Sequence, residues 1–144
     1  MKLEGTYRFP QALEQVWTAL NDPAVLERAT PGCKSLTQVG PGEYEAELEM
    51  GVANIKGKFK GKVSITEAEP PNGYRLQIEG KGAPGFVRAS VAIRLSPEES
   101  GTRLTYEGEA QVGGMIAGVG QRILGGVAKL TMEQFFKVIE CAAG

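Results

Sequence analysis

The residue types that carry out most chemistry in proteins are scarce in this chain. Its 144 residues include no histidine, which removes the usual general base near neutral pH and the commonest metal ligand. Cys33 and Cys141 have no CxxC spacing, so two ordinary small side chains are favoured over a zinc site. Most acidic residues fall on outward positions of the predicted strands, which disfavours a buried carboxylate pair. The sequence therefore predicts no catalytic triad and no metal site.

Phosphate and nucleic-acid binding are disfavoured as well. Neither Gly80-Lys81-Gly82 nor Gly118-Val119-Gly120 has the glycine pattern of a phosphate-binding loop. The chain has 16 basic and 17 acidic residues, and its net charge of −1 provides no field of one sign for a phosphate backbone. We expect no nucleic-acid partner.

Length and composition set the size of the fold. With 42% apolar residues, the chain has enough apolar surface for one core, and we expect a single domain over residues 1–144. No leader-like pattern precedes Leu3, and glycines and charges interrupt the mainly apolar stretch 115–130. These features predict a cytoplasmic protein with reduced thiols.

Hydrophobic periodicity predicts the elements that must position any site. Alternation over residues 2–9 predicts a strand, and helical spacing over residues 11–20 predicts a short helix, with a second one through Arg28. From Pro31-Gly32 to Gly113 the period is two, with turn signals between the strands, which predicts an antiparallel meander. Glycines at inward strand positions predict strong curvature of the sheet.

Two neighbouring strands carry opposite charges. Alternate residues are glutamate over residues 43–49 and lysine over residues 56–62. A turn at Val52-Ala53 predicts four facing pairs: Glu49–Lys56, Glu47–Lys58, Glu45–Lys60 and Glu43–Lys62. We favour a solvated cross-strand charge ladder over a lysine patch for anionic lipid or an acidic partner, because each lysine has a glutamate opposite it.

The last element is predicted to be one long helix from Gly113-Gly114 to about Glu140. Four internal glycines would cost it roughly 1 kcal/mol each relative to alanine, and close packing or space for a ligand could compensate. Its inward stripe is predicted to comprise Ile116, Val119, Ile123, Val127, Leu130, Gln134 and Val138. Near its end, four apolar residues either pack under the short helices or contact a partner, a second copy or the membrane: Met132, Phe135, Phe136 and Ile139.

Short segments spread over nearly the whole chain carry a family resemblance. They are Met1-Lys2-Leu3-Glu4-Gly5, Val16-Trp17 with Leu20-Asn21-Asp22-Pro23, Pro31-Gly32-Cys33, Phe59-Lys60-Gly61-Lys62-Val63, Gly80-Lys81-Gly82 with Gly85-Phe86, Gly101-Thr102-Arg103-Leu104, Gln111-Val112-Gly113-Gly114 and Gln134-Phe135-Phe136. Together they resemble the family of the carbon monoxide dehydrogenase subunit CoxG, within the START/SRPBCC-like superfamily. The order of elements resembles the α+β helix-grip fold of START and Bet v 1-like proteins. In this fold a curved antiparallel sheet of about six or seven strands wraps around a long C-terminal helix, and two short helices follow the first strand.

The resemblance implies a non-catalytic accessory protein that works with a molybdenum-containing dehydrogenase or related hydroxylase. It implies a hydrophobic ligand, either a lipid or an isoprenoid quinone, and no covalently bound cofactor. It also implies support for membrane association or electron transfer of that enzyme. The expected location is the cytoplasm, with transient peripheral contact at the inner face of the membrane, and a homodimer remains open.

The predicted ligand site is an apolar pocket on the order of a few hundred Å3 between the sheet and the last helix. Its predicted lining comprises Trp17, Leu26, Met50, Phe59, Val63, Phe86, Val91, Ile93, Met115, Ile116, Val119, Ile123, Val127 and Gln134. Two alternatives remain at this point. One is a cyclase or hydrolase-like enzyme that steers its substrate with polar groups, namely Tyr7, Tyr44, Tyr74, Tyr106 and Gln134. The other is a protein adaptor without a ligand.

Overall fold

The computed structural model describes residues 1–52 and 55–144, and its elements follow the predicted order. The strands are β1 (Lys2–Phe9), β2 (Cys33–Gly40), β3 (Glu43–Val52), β4 (Ile55–Glu69), β5 (Gly73–Gly82), β6 (Gly85–Glu98) and β7 (Gly101–Gly113). The helices are α1 (Leu13–Leu20), α2 (Pro23–Ala29), a 3-10 helix (Met115–Val119) and α3 (Gln121–Ala143).

The seven strands form one antiparallel sheet in the order β1-β7-β6-β5-β4-β3-β2. Each strand buries alternate residues, so that Val91 and Leu104 face the interior while Arg94 and Arg103 face solvent. The curved sheet and the long α3 confirm the predicted α+β helix-grip fold.

Two short helices connect β1 to β2 and pack against α3. Asp22 begins α2, because its Oδ1 accepts a hydrogen bond from the Ala24 N–H at 3.0 Å and Pro23 occupies the first helical turn. α3 also contacts β1, so it is held on both sides at this end of the molecule.

The hydrophobic core is concentrated at this end, which we call the closed end. Its fully buried side chains come from β1, α1, α2, the ends of β5–β7 that lie nearest them, and the second half of α3. They are Phe9, Val16, Ala19, Leu20, Val25, Ala29, Tyr74, Val91, Ile93, Leu95, Leu104, Tyr106, Phe136, Ile139 and Ala143. Phe136 and Ile139 are buried in this core, where the Phe136 ring packs against Tyr7, Phe9 and Tyr106, so a docking role for these two residues is wrong.

The register of the charge ladder differs from the prediction by two residues. Glu49 lies opposite Lys58, Glu47 opposite Lys60 and Glu45 opposite Lys62, and Val52 pairs with Ile55. The predicted partners Glu49–Lys56 and Glu43–Lys62 are therefore wrong, as are Glu47–Lys58 and Glu45–Lys60, although all these side chains share the outer face. The turn was predicted at Val52-Ala53, and Ala53 lies outside the described residues.

The predicted single helix from Gly113-Gly114 is also wrong. Met115–Val119 is a 3-10 helix, and Gly120 (φ 93°) separates it from α3. The inward stripe of α3 is shifted from the predicted one, of which Val127 and Val138 are half-buried. It comprises Leu124, Ala128, Thr131, Phe135 and Ile139, which are half-buried or buried. Ile123, Leu130 and Gln134 are instead exposed. The burial of Phe136 and Ile139 in the second half of α3 determines how the helix is rotated about its axis.

Candidate functional site

Away from the core, an apolar surface lies between the sheet and the first half of α3. The end of the molecule that contains it is called the open end. Its strand residues point inward but are only partly buried, apart from Phe59, and the facing residues of α3 are also half-buried. We call it the inner apolar surface and define it by Leu48, Met50, Phe59, Val63, Ile78, Gly80, Val87, Val112, Leu124, Val127 and Ala128. It is contiguous across the strands, since Leu48 pairs with Phe59, Val63 with Ile78, and Val87 with Val112.

Glycines leave unfilled space along this surface. A Cβ atom placed on Gly80, on the inner face of β5, would meet no other heavy atom of the described chain within 4 Å. A Cβ on Gly125 or Gly126 of α3 would also meet no neighbour among residues 1–52 and 55–144, but Gly126 is exposed and its open side is solvent. By contrast, a Cβ on Gly108, nearer the core, would collide with the backbone of Ser90 and Val91. Close packing also applies to Gly57 at the open end, where a Cβ would collide with Pro84, so the open space on the strands is specific to Gly80.

Four residues of the predicted lining belong to this surface, namely Met50, Phe59, Val63 and Val127. Ile116 and Val119 lie beside it on the 3-10 helix, where Ile116 is buried and Val119 is half-buried. The Ile116 N–H donates a hydrogen bond to the Pro84 carbonyl at 3.0 Å, which attaches this helix to the β5–β6 turn.

The other predicted lining residues lie elsewhere. Val91 and Ile93 are enclosed in the core, and Trp17 packs at its border with its ring 5.7 Å from that of Tyr74. Leu26 is half-buried on α2. Phe86 belongs to the outer face, because it pairs with Lys81 and Gly113 and its ring lies 5.3 Å from the Arg88 guanidinium carbon.

Three further residues assigned to the pocket from the helix phase are exposed: Met115, Ile123 and Gln134. The prediction missed Leu48, Ile78, Val87 and Val112 as lining residues, although the alternation of the strands placed them inward. It also missed Leu124 and Ala128, because one continuous helix was predicted and the break at Gly120 changes which side of α3 faces inward.

Four tyrosines supply the polar groups around the interior. Burial raises the pKa of the Tyr44, Tyr74 and Tyr106 hydroxyls. Burial and the adjacent Glu140 carboxylate raise the pKa of Tyr7 to about 12. All four hydroxyls therefore stay protonated at neutral pH, where they can donate hydrogen bonds but are poor bases. Tyr44 lies directly opposite Val63, at the border between the core and the inner apolar surface.

Comparison with known proteins places the chain in a family. Residues 5–144 match the family of the carbon monoxide dehydrogenase subunit CoxG. The chain belongs to the CoxG family. This confirms the resemblance seen in the sequence and supports, at a coarse level, a ligand-binding accessory protein. No curated protein matches the chain.

Solved structures share the fold of this chain. A conserved protein from Geobacillus kaustophilus is 42% identical, with a TM-score of 0.95 over 99% of this chain and 95% of that one. A START superfamily protein from Mycobacterium smegmatis is 14% identical, with a TM-score of 0.71 over 96% and 94% of the two chains. The di-domain aromatase/cyclase StfQ from the steffimycin biosynthetic pathway is 11% identical, with a TM-score of 0.66 over 99% of this chain and 50% of that one. The last two likenesses show the fold alone.

The outer face of this CoxG-family sheet is polar. It carries two shallow depressions of about 350 and 520 Å3, lined mainly by charged and hydroxyl side chains such as Glu4, Arg94, Lys62 and Arg88. The described residues contain no cluster of acidic or cysteine side chains suited to a metal ion, and no helix with the length and apolarity to span a membrane.

Proposed function

We propose that this protein binds a lipid or an isoprenoid quinone on its inner apolar surface and acts as a non-catalytic carrier. The observation that carries the proposal is the contrast between the two ends of the molecule. Inward apolar side chains are mostly buried at the closed end and, apart from Phe59 and Ile116, mostly half-buried at the open end, where Gly80 leaves space beside them. Half-buried apolar surface gains free energy when a ligand covers it, at about 25 cal/mol per Å2.

A carrier fits the polar groups better than a cyclase or hydrolase does. The sequence has no histidine, and the raised pKa values of the four tyrosines oppose proton abstraction near neutral pH. A protonated Tyr44 hydroxyl could donate a hydrogen bond to a ring carbonyl or an ester oxygen at the border of the apolar surface. This contact would orient the head group without reacting with it.

Family membership supports an enzyme partner. CoxG is named as a subunit of carbon monoxide dehydrogenase, so the partner in this proposal is a molybdenum-containing dehydrogenase or related hydroxylase. The carrier would work in the cytoplasm and collect or deliver its apolar cargo by peripheral contact with the inner face of the membrane.

The surface of the open end supports membrane contact. Met115, Ile123 and Leu130 are 65%, 50% and 56% exposed, and all three lie within residues 115–130. Segments 50–66 and 110–132 contain no acidic residue but include Arg122 and also Lys56, which lies opposite Gly51 rather than a glutamate. Apolar side chains flanked by basic ones are suited to an anionic lipid surface.

The proposal is tested by titrating decylubiquinone while following the fluorescence of Trp17, the single tryptophan. We expect saturable quenching in the parent. Gly80→Leu adds an apolar side chain where the inner face of β5 is open, so it should weaken binding by tenfold or more by occupying the ligand's space. Ala92→Leu makes a similar extension on the outer face of β6 and should leave binding unchanged.

Circular dichroism and thermal unfolding would establish that both variants are folded. A folded Gly80→Leu protein that binds as tightly as the parent would place the site elsewhere. Organic extraction of the protein from its native lysate, followed by mass spectrometry, would identify the cargo. If no lipid or quinone is extracted and decylubiquinone does not bind, the adaptor alternative replaces the carrier.

A further inference from the structure

The second half of α3 is firmly attached to the rest of the molecule. Phe136 and Ile139 are 2% and 0% exposed, and the Phe136 ring packs against Tyr7, Phe9 and Tyr106. Two hydrogen bonds reach Glu140, since the Tyr7 hydroxyl donates to its carboxylate at 3.1 Å and the Gln11 amide donates to its carbonyl at 2.8 Å. Movement of this half would disrupt the core.

The first half of α3 is held much less tightly. It contains no residue that is fully buried, and Ile123 and Leu130 point into solvent. The adjacent Gly125 and Gly126 weaken the helix itself, because glycine is the poorest helix former after proline. The helix begins at Gly120 without a side-chain cap, and its first turn has no acidic residue to favour the helix dipole.

A pivot separates this half from an anchored segment before it. Gly120 has φ 93°, a left-handed conformation suited to glycine, and no atom of the described residues would touch a Cβ placed there within 4 Å. Just upstream, Ile116 is 3% exposed and bonded to the Pro84 carbonyl. Residues 121–130 thus form a weak helical segment between two fixed points, the 3-10 helix and the second half of α3.

We propose that residues 121–130 form a gate over the inner apolar surface, which opens by pivoting at Gly120 and fraying near Gly125-Gly126. The inner side of this segment carries Leu124 and Val127, which belong to that surface, so its opening exposes the surface. The gating role rests on the proposed ligand function, whereas the hinge motion does not. Local opening of a weakly packed element is a common route for ligand entry and sets the exchange rate rather than the affinity.

Hydrogen–deuterium exchange of the ligand-free protein tests the hinge. We expect amides of residues 124–130 to exchange at least tenfold faster than those of 133–142. Gly125→Ala with Gly126→Ala should slow the first set by about fivefold per alanine, because neither Cβ meets a neighbour and alanine favours the helix. Ala128→Gly should speed it. Equal exchange in the two halves, or no change in the alanine variant, would reject the hinge.

Stopped-flow mixing with decylubiquinone tests the gate. The double alanine variant should bind and release the quinone several-fold more slowly, with a nearly unchanged dissociation constant. Gly80→Ala, which adds a methyl group on the facing strand, should change the dissociation constant without altering exchange in α3. Unchanged rates in the double variant would reject gating even if the hinge moves. Absence of quinone binding in every variant would reject both the proposed cargo and the gating role, and the exchange data would then decide the hinge alone.

Discussion

At the scale of single residues, Glu140 joins the last helix to the first strand. Its carboxylate accepts the Tyr7 hydroxyl and its carbonyl accepts the Gln11 amide, so both contacts hold α3 beside β1. Burial and the negative charge of Glu140 raise the pKa of Tyr7 from 10.0 to about 12. The folded protein therefore retains the Tyr7 proton at a pH where the unfolded chain has lost it.

This retained proton predicts a loss of stability at high pH. Below pH 10 Tyr7 is protonated in both states and its contribution is constant, and between pH 10 and about 12 the free energy of unfolding should fall. Tyr44, Tyr74 and Tyr106 add to the fall, because burial raises their pKa values as well. Urea unfolding at a series of pH values measures the slope.

Tyr7→Phe isolates the contribution of this hydroxyl. The variant should lose about 1 kcal/mol near neutral pH, since the hydrogen bond to Glu140 is gone, and its stability should then fall less steeply above pH 10. Glu140→Gln keeps an acceptor but removes the charge, so its curve should also be shallower than that of the parent. Parallel curves for the parent and Tyr7→Phe above pH 10 would contradict the assignment.

At the scale of elements, alternation alone placed the strand faces correctly, whereas two offsets could not be derived from the sequence. In β3 and β4 the charges repeat every two residues, so sliding one strand by two still places Glu45, Glu47 and Glu49 opposite lysines and keeps the apolar residues inward. In α3 the predicted inward stripe included the aliphatic residues Ile123 and Leu130. The helix instead buries Phe136 and Ile139, and this rotation about its axis leaves Ile123 and Leu130 exposed.

The observed register of β3 and β4 makes a prediction about Lys58. It lies opposite Glu49, so Lys58→Glu places two carboxylates directly across from each other. We expect the free energy of unfolding to fall by roughly 0.5–1 kcal/mol, measured by urea unfolding with Trp17 fluorescence. The effect should shrink at high salt, because the pair is exposed.

Second substitutions distinguish the two registers. Adding Glu49→Gln to Lys58→Glu should recover most of the loss, since the facing charge is removed, whereas Glu47→Gln should recover little. Glu49→Gln alone serves as the reference, because Glu49 also lies 4.0 Å from Lys34. Stronger recovery with Glu47→Gln would support the register in which Glu47 faces Lys58.

At the scale of the whole molecule, the two ends have different tasks. The closed end concentrates the core and holds α3, while the open end combines unfilled apolar space with exposed apolar and basic side chains. Sequence periodicity indicated an apolar interior, and the resemblance of short segments indicated the family. The residues that line the pocket depended on the rotation of α3 about its axis and on which inward strand residues the core encloses. These are set by packing between distant elements, such as α3 with β1 and α1.

The parts of the open end are brought together by the β5–β6 turn. Pro84 in this turn contacts Gly57 of β4, and its carbonyl accepts a hydrogen bond from the Ile116 N–H. The start of β4 therefore lies near the 3-10 helix that carries Met115. Lys56, which has no glutamate opposite it, therefore lies at the same end of the molecule as Met115. The arrangement predicts that the molecule approaches anionic lipid with its open end first.

Vesicle sedimentation tests this orientation. The parent should bind vesicles containing phosphatidylglycerol more tightly than vesicles of phosphatidylcholine alone, and salt should weaken the binding. Replacing Met115, Ile123 and Leu130 by serine should lower affinity by tenfold or more, since each loses roughly 1 kcal/mol of apolar insertion. Lys56→Gln with Arg122→Gln should reduce both the affinity and its salt dependence. Val39→Ser, at a 54% exposed apolar position on β2, is the matched control and should bind like the parent. Equal losses for Val39→Ser and the triple variant would show that vesicle binding is unrelated to the open end.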